Sequence, residues 1–133
     1  MGSQISVTNL MYTLDTNVLI YHLNGEVAVS NMLKDITGRG GPIYISSLTI
    51  TELFGFKDLT ERDLAQAEDV LSGLITVSTD ARIARAAGLL RSLSRMKTVD
   101  AIIATTALFT GSTLVTRNVR DFRMVPGLAL LKI

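Results

Sequence analysis

The sequence predicts an α/β fold in which helices cover both faces of a mainly parallel β-sheet. The chain has 133 residues, of which 47% are hydrophobic, so one domain can build a sizeable core. Short apolar segments alternate along the chain with segments of helical period, as expected for successive strands and helices. The apolar segments are almost uninterrupted, which is typical of strands that are buried on both faces.

Composition excludes several classes of protein. Thirteen Lys and Arg residues against twelve Asp and Glu residues give a net charge of +1, too little for indiscriminate DNA binding. With no cysteine and a single histidine, a thiolate zinc site and a multi-histidine metal site are excluded. No apolar run reaches the ~18 residues of a membrane span, and no signal-peptide pattern is present. We therefore expect a cytoplasmic protein with one domain over residues 11–133, preceded by a polar leader at 1–10.

In the first half of the chain, strands are predicted over residues 11–14 and 43–46 because both segments are short and β-branched. The turn at 15–17 can cap a helix that begins at 18, and glycines at 38, 40 and 41 followed by Pro42 end a second helix. The predicted helices of this half cover 18–23, 27–36 and 47–56.

In the second half, Thr79 or Asp80 can cap a helix over residues 81–94, and Gly111 can end another over 99–110. A further helix is predicted from 59 to about 71 because an acidic first turn follows a cap. The remaining apolar segments predict strands over 74–77, 114–116 and 128–131.

Three of the twelve acidic residues stand in apolar surroundings. Asp15 lies between a strand and an apolar helix, and Glu52 is the only charge between Pro42 and Lys57. Asp100 opens the most apolar helix of the chain. A carboxylate in such surroundings must be paired, hydrogen-bonded or bound to a cation.

Polar residues also gather where predicted strands end, which is the edge of a parallel sheet where ligands bind. If the helix carrying Asp100 starts at the same edge, three or four acids converge there. Their oxygen atoms suit Mg²⁺ or Mn²⁺ rather than zinc. The residues that follow or end these strands are Asp15, Glu52, Thr116, Asn118 and Asp121.

Each acid also has a structural interpretation. Asp15 and Asp100 could each cap the helix that follows, and Glu52 could pair with a buried arginine. Asp121 could cap the loop before Phe122. One shared site explains all of these acids with a single cause, and the structural alternatives need a separate cause for each.

Four segments of the sequence resemble the PIN domain family, in particular its VapC-type ribonuclease toxins. They occur in the family's order and at its spacings, and the resemblance covers residues 11 to about 131. The segments are LDTNVLIY at 14–21, ISSLTITEL at 45–53, VDAIIATTA at 99–107 and LVTRNVRDF at 114–122.

The resemblance implies a three-layer sandwich whose central, mainly parallel sheet has four or five strands. It also implies a metal-dependent endoribonuclease that cleaves single-stranded RNA with a metal-activated water. Proteins of this type are usually homodimers that a cognate antitoxin holds inactive. The mean hydropathy of +0.37 independently favours a dimer, with spare apolar surface expected on the helices over 27–36 and 81–94.

By position, Asp15, Glu52 and Asp100 match the acidic core of the family. The resemblance implies that Asp15 and Asp100 are direct ligands of Mg²⁺ or Mn²⁺, and that Glu52 is a ligand or holds the attacking water. The fourth position is shared between Asn118, which carries no charge, and Asp121, so the number of metal ions stays open.

Other residues are expected to support this site. Thr16, Thr116 and Asn118 would orient the acids, and Asp121 would act through water or as a ligand at a second site. Positive charge near the acids would contact RNA phosphates, which positions the strand without reading its sequence. The candidates for this contact are Arg95, Lys97, Arg117, Arg120 and Arg123.

Two other functions compete with a nuclease. A degenerate PIN fold could serve as an RNA-binding or scaffold module, although a scaffold has no need of costly carboxylates in an apolar setting. A phosphatase of the haloacid dehalogenase type also uses an Asp after its first strand, but it requires a second Asp two residues later, where this chain has Asn17.

Overall fold

A five-stranded parallel sheet forms the centre of the molecule in the computed structural model, which describes residues 10–133. The predicted leader therefore lies outside the described residues except for Leu10. The strands are β1 (Tyr12–Leu14), β2 (Ile43–Ser46), β3 (Ile75–Val77), β4 (Thr113–Thr116) and β5 (Leu130–Lys132). The strand order is β3-β2-β1-β4-β5, and every neighbouring pair is parallel.

Helices cover both faces of the sheet, and the predicted three-layer α/β class is confirmed. The helices are α1 (Thr16–Leu23), α2 (Val27–Gly38), α3 (Ser47–Phe54), α4 (Glu61–Ser72), α5 (Ala81–Leu93), α6 (Thr98–Thr110) and α7 (Val119–Phe122). Consecutive residues of β4 point to opposite faces, so Leu114 joins the core beneath α5–α7 and Val115 joins the core beneath α1–α4.

Apart from the short helix α7, which the sequence analysis does not predict, the element order follows the prediction, and most differences concern the ends of elements. Helix α1 begins two residues before the predicted start because the turn at Asp15 already leads into helical backbone at Thr16. Strand β3 is less buried than predicted, with Ile75 48% exposed, because it is an edge strand. Within residues 10–133, no helix is long and apolar enough to cross a membrane.

The connectivity of the sheet creates a crevice beside β1. From β1 the chain continues to β2 and β3 on one side, and it later adds β4 and β5 on the other side. The carboxyl ends of β1 and β4 therefore flank the point where the strand order reverses, which is where ligands bind in such sheets. A tight turn at Gly111, with φ of 65°, leads from α6 into β4, so α6 begins at this same edge.

Candidate active site

The structure brings all four predicted acids to one cleft at the carboxyl ends of the strands. This carboxyl-edge cleft has a volume of about 290 Å³. Its acids come from four parts of the chain: the end of β1, helix α3, the first turn of α6, and helix α7. The cleft is lined by Asp15, Asn17, Glu52, Lys97, Thr98, Val99, Asp100, Asn118, Asp121 and Phe122.

Asp15 is the buried centre of the cleft, with 4% of its surface exposed. It occupies the N-cap position of α1, but its side chain makes no capping hydrogen bond. Instead, Oδ2 accepts a hydrogen bond of 2.9 Å from Oγ1 of Thr116, whose own oxygen accepts the backbone N–H of Asn118 at 3.0 Å. The carboxylate is therefore held by the end of β4 and does not serve as a helix cap.

Burial raises the pKa of Asp15 from 3.8 to about 6 because the charged form loses its hydration. The hydrogen bond from Thr116 opposes this rise, and the negative charges of Asp100 and Glu52 add to it. The ionised Asp15 is thus destabilised by its surroundings, and a cation in the cleft would stabilise it.

Asp100 is half-buried in the first turn of α6, where Lys97 occupies the N-cap position. The interpretation of Asp100 as the helix cap is therefore wrong. Burial raises the pKa of Asp100 above its usual value, and the nearby charges of Asp121 and Glu52 raise it further, while Lys97 lowers it. Asp100 thus faces the other carboxylates of the cleft.

Glu52 and Asp121 form the open side of the cleft, and both side chains are exposed. The expectation that Glu52 lies in apolar surroundings is wrong, because Thr49 and Leu53 occupy the buried face of α3 and Glu52 lies outside it. Within residues 10–133, Glu52 forms no ion pair with an arginine. Asp121 lies in the single turn of α7, for which Asn118 is the N-cap residue.

Hydroxyl groups beneath the cleft join the elements that carry the acids. Oγ1 of Thr16 lies 3.0 Å from Oγ1 of Thr49, and both residues are buried, so the start of α1 is tied to α3. Sequence reasoning did not assign Thr49, and it gave no role to Asn17 and Thr98, which line the cleft. Asn17, Thr49 and Thr98 each lie in the first turn of a helix, two or three residues from a predicted acid, and this position could have indicated them.

The five predicted cations differ in their placement. Lys97 lines the cleft. Arg117 is engaged by Glu26, with Nη2 at 2.9 Å from Oε1, and its guanidinium lies over the ring of Tyr21. The three others are exposed and do not line the cleft: Arg95, Arg120 and Arg123. Their contact with RNA stays a prediction.

The donor set of the cleft fits a hard divalent cation. Its carboxylate and amide groups offer oxygen ligands from Asp15, Asp100 and Asn118, with Glu52 and Asp121 nearby. Within residues 10–133, no group of three or more Asp, Glu, His or Cys side chains is arranged so that it could hold a metal ion. Mg²⁺ commonly binds through one or two carboxylates and keeps several waters, and two carboxylates such as Asp15 and Asp100 are compatible with that mode of binding.

Comparison with known proteins identifies the family to which this fold and this cleft belong. Residues 12–128 match the PIN domain family. The chain belongs to the PIN domain family. This PIN domain protein is 35% identical over 123 residues to "Ribonuclease VapC19" of Mycobacterium tuberculosis, with 89% of the chain and 97% of the relative covered. It is 32% identical over 127 residues to "tRNA(fMet)-specific endonuclease VapC" of Shigella flexneri, covering 90% and 95%.

Solved structures of PIN domain proteins share this architecture. VapBC2 from Rickettsia felis, bound to a DNA fragment from its promoter, superimposes with a TM-score of 0.79 at 26% identity, covering 92% of this chain and 98% of the other. A toxin–antitoxin complex from Klebsiella pneumoniae gives a TM-score of 0.74 at 28% identity, covering 92% and 99%. Both similarities extend over nearly the whole chain.

Proposed function

We propose that this PIN domain protein is a metal-dependent endoribonuclease and the toxin of a toxin–antitoxin pair. One observation carries the proposal: a buried carboxylate, Asp15, has three further carboxylates gathered around it at the switch point of the sheet. Relatives named as ribonucleases and as a tRNA-specific endonuclease support RNA as the substrate. We expect the protein to act in the cytoplasm.

Asp15 and Asp100 are the residues that would hold Mg²⁺ or Mn²⁺. When bound, the ion supplies a water of lowered pKa and neutralises charge on the phosphate. Glu52, on the open side of the cleft, would accept the proton of the attacking water at its carboxylate oxygen. Thr116 keeps Asp15 oriented through its 2.9 Å hydrogen bond, so the Asp15 carboxylate does not have to reorient when substrate arrives.

Substrate is held by charge and by the shape of the cleft. Lys97 brings a positive charge to the wall of the cleft, three residues before Asp100 in the chain, where a phosphate would be adjacent to the acids. Within residues 10–133, the walls of the cleft carry one aromatic ring, that of the buried Phe122, so stacking of bases contributes little. We therefore expect contacts to the phosphate backbone to dominate.

A cognate antitoxin and a second copy of the chain are the proposed protein partners. The superimposed complex from Klebsiella pneumoniae supports the first. Exposed apolar side chains on α5 support the second, because Leu89 is 66% and Leu93 is 86% exposed. Light scattering of the purified chain should give about twice its 14.4 kDa, and a monomer at micromolar concentration would contradict the dimer.

A scaffold without catalytic activity is not favoured. Keeping Asp15 buried beside other carboxylates lowers the stability of the fold when the residue is ionised, as its raised pKa indicates. A scaffold would gain stability by replacing it.

Cleavage of single-stranded RNA by the Asp100→Asn variant tests the proposed function. Asn keeps the size of the side chain and one oxygen, but it removes a full charge from the ion's surroundings. We expect the variant to fold at least as stably as the parent and to cleave at least about 100-fold more slowly in single turnover. EDTA should abolish cleavage by the parent.

The matched control is Asp69→Asn on α4, an exposed acid that does not line the carboxyl-edge cleft. This variant should cleave like the parent, and it should stop growth when expressed without antitoxin. Near-normal cleavage by folded Asp100→Asn, or cleavage that resists EDTA, would overturn the proposed function.

A further inference from the structure

Arg117 is the residue of the β4–α7 connection whose side chain is most fully engaged. Its Nη2 donates to Oε1 of Glu26 at 2.9 Å, and Nη1 approaches Oε2 at 3.5 Å, so the two planar groups meet in a forked pair. Its Cζ also lies 4.0 Å from the centroid of the Tyr21 ring. Stacking and a forked pair together use the planar geometry that distinguishes Arg from Lys.

The receptor for this guanidinium is preorganised. Tyr21 belongs to α1, and Glu26 is the N-cap residue of α2. The backbone N–H of Glu26 donates to the carbonyl of Tyr21 at 3.0 Å, which ties together the backbones that carry the ring and the carboxylate. The turn between them requires a positive φ of 83° at Gly25, a conformation that glycine adopts without strain.

This Arg117 latch, formed by Arg117, Glu26 and Tyr21, joins two segments that carry the carboxyl-edge cleft. Helix α1 follows directly after Asp15. Arg117 itself stands between Thr116, which donates to Asp15, and Asn118, which lines the cleft. A movement of Arg117 would therefore be transmitted directly to both neighbours.

We propose that Arg117 is a positioning residue, which holds the β4–α7 connection against α1 so that Thr116 and Asn118 keep their places beside Asp15. This inference rests on the proposed ribonuclease function. It also assigns Arg117 a role different from the RNA phosphate contact expected from the sequence, because the guanidinium is already committed to Glu26 and Tyr21.

Variants of Glu26 distinguish a positioning role of Arg117 from an RNA phosphate contact, because Glu26 would take no part in a direct contact between Arg117 and RNA. The test compares kcat and KM for Arg117→Lys, Glu26→Gln, Arg117→Glu, Glu26→Arg, and the double variant that combines the last two. For a positioning residue, Arg117→Lys and Glu26→Gln should each lower kcat about tenfold and leave KM within about twofold of the parent. The double variant should recover most of the kcat that the two charge reversals lose singly.

A direct phosphate contact gives the opposite pattern. Glu26→Gln would then lower KM without lowering kcat, because it releases Arg117 and removes a negative charge, and the charge-swapped double variant would not recover activity. Either result overturns the proposal. Asp35→Asn is the matched control, because it breaks the exposed ion pair with Arg39 at 3.0 Å, and it should leave both constants unchanged.

Hydrogen exchange at the backbone N–H of Asn118 separates this inference from the proposed function. That N–H donates to Oγ1 of Thr116 at 3.0 Å, so a loosened connection should exchange it about tenfold faster in Glu26→Gln and Arg117→Lys. If exchange accelerates but the parent cleaves no RNA, the proposed function fails and the latch stands. If the parent cleaves RNA while exchange and kcat are unchanged in both variants, the latch fails.

Discussion

The two sides of the carboxyl-edge cleft are built differently. On the buried side, Asp15 is 4% exposed and is fixed by Thr116 at the end of a neighbouring strand. On the open side, Glu52 and Asp121 are exposed and project from helices. The acids therefore share one cleft, but on the buried side the folded protein strongly destabilises the charged form of the carboxylate.

This difference indicates a division of roles. A buried carboxylate with a raised pKa gains most from a cation, so the buried side should determine whether an ion is held. The exposed carboxylates are hydrated in any case, so they should act on water and substrate with smaller individual effects.

Replacement of Asp15 by Asn should have the largest effect on activity. Asn can still accept the hydrogen bond from Thr116, so the fold should be retained, but the ion loses the charge of its buried ligand. We expect cleavage in single turnover to fall by about 1,000-fold. Glu52→Gln should fall less, and an equal or larger loss there would contradict the division between the two sides.

The difference in stability between Asp15→Asn and the parent should depend on pH. The pKa of Asp15 is about 6 in the folded state and 3.8 ordinarily, so the folded state binds the proton more tightly. The contribution of Asp15 to the stability of the parent should therefore fall by about 3 kcal/mol as pH rises from about 4 to about 6. Asp15→Asn should be more stable than the parent at pH 7.5 without added metal, and this advantage should vanish near pH 4 in urea titrations.

An exposed acid with a lowered pKa provides the control of opposite sign. Asp63 accepts the backbone N–H of Thr60 in the capping box of α4, and this hydrogen bond lowers its pKa. Its contribution to stability is present above its ordinary pKa and is lost as pH falls through the lowered value. Asp63→Asn should thus be no more stable than the parent at pH 7.5, and an advantage like that of Asp15→Asn would contradict the assignment to burial.

The smallest predicted effect identifies the fourth site residue. Asp121 raises the pKa of Asp100, so its charge reaches the other carboxylates, whereas Asn118 lines the cleft without charge. We expect Asp121→Asn to lower cleavage about tenfold and Asn118→Ala to lower it less. Steady-state cleavage at saturating RNA measures both variants, and the reverse order would assign the fourth position to Asn118.

The sequence was most informative where a strand end decides the position of a side chain. Asp15 directly follows an apolar strand, and Gly111 ends α6 just before β4, so the edge of the sheet that gathers Asp15, Asp100 and Asp121 could be predicted. The order of the elements other than α7 follows from hydrophobic period and turn residues, and the structure confirms it.

The sequence was least informative where the partner of a side chain is distant or where a helix face decides burial. Glu52 lies in an apolar segment, but a short helix at the edge of a fold leaves one face open, and the hydrophobic pattern of α3 does not show which. Arg117 was predicted to face RNA, and its pairing with Glu26, 91 positions earlier, depends on the tertiary fold alone.

Direct measurement of Mn²⁺ binding tests the central claim, that the buried side of the carboxyl-edge cleft holds a divalent cation. Electron paramagnetic resonance of free Mn²⁺ at pH 7.5 should show saturable binding by the parent in the absence of RNA. Binding by Asp15→Asn and Asp100→Asn should be at least about tenfold weaker, and binding by Asp69→Asn should be unchanged. Equal affinity in the parent and in Asp15→Asn would contradict the account.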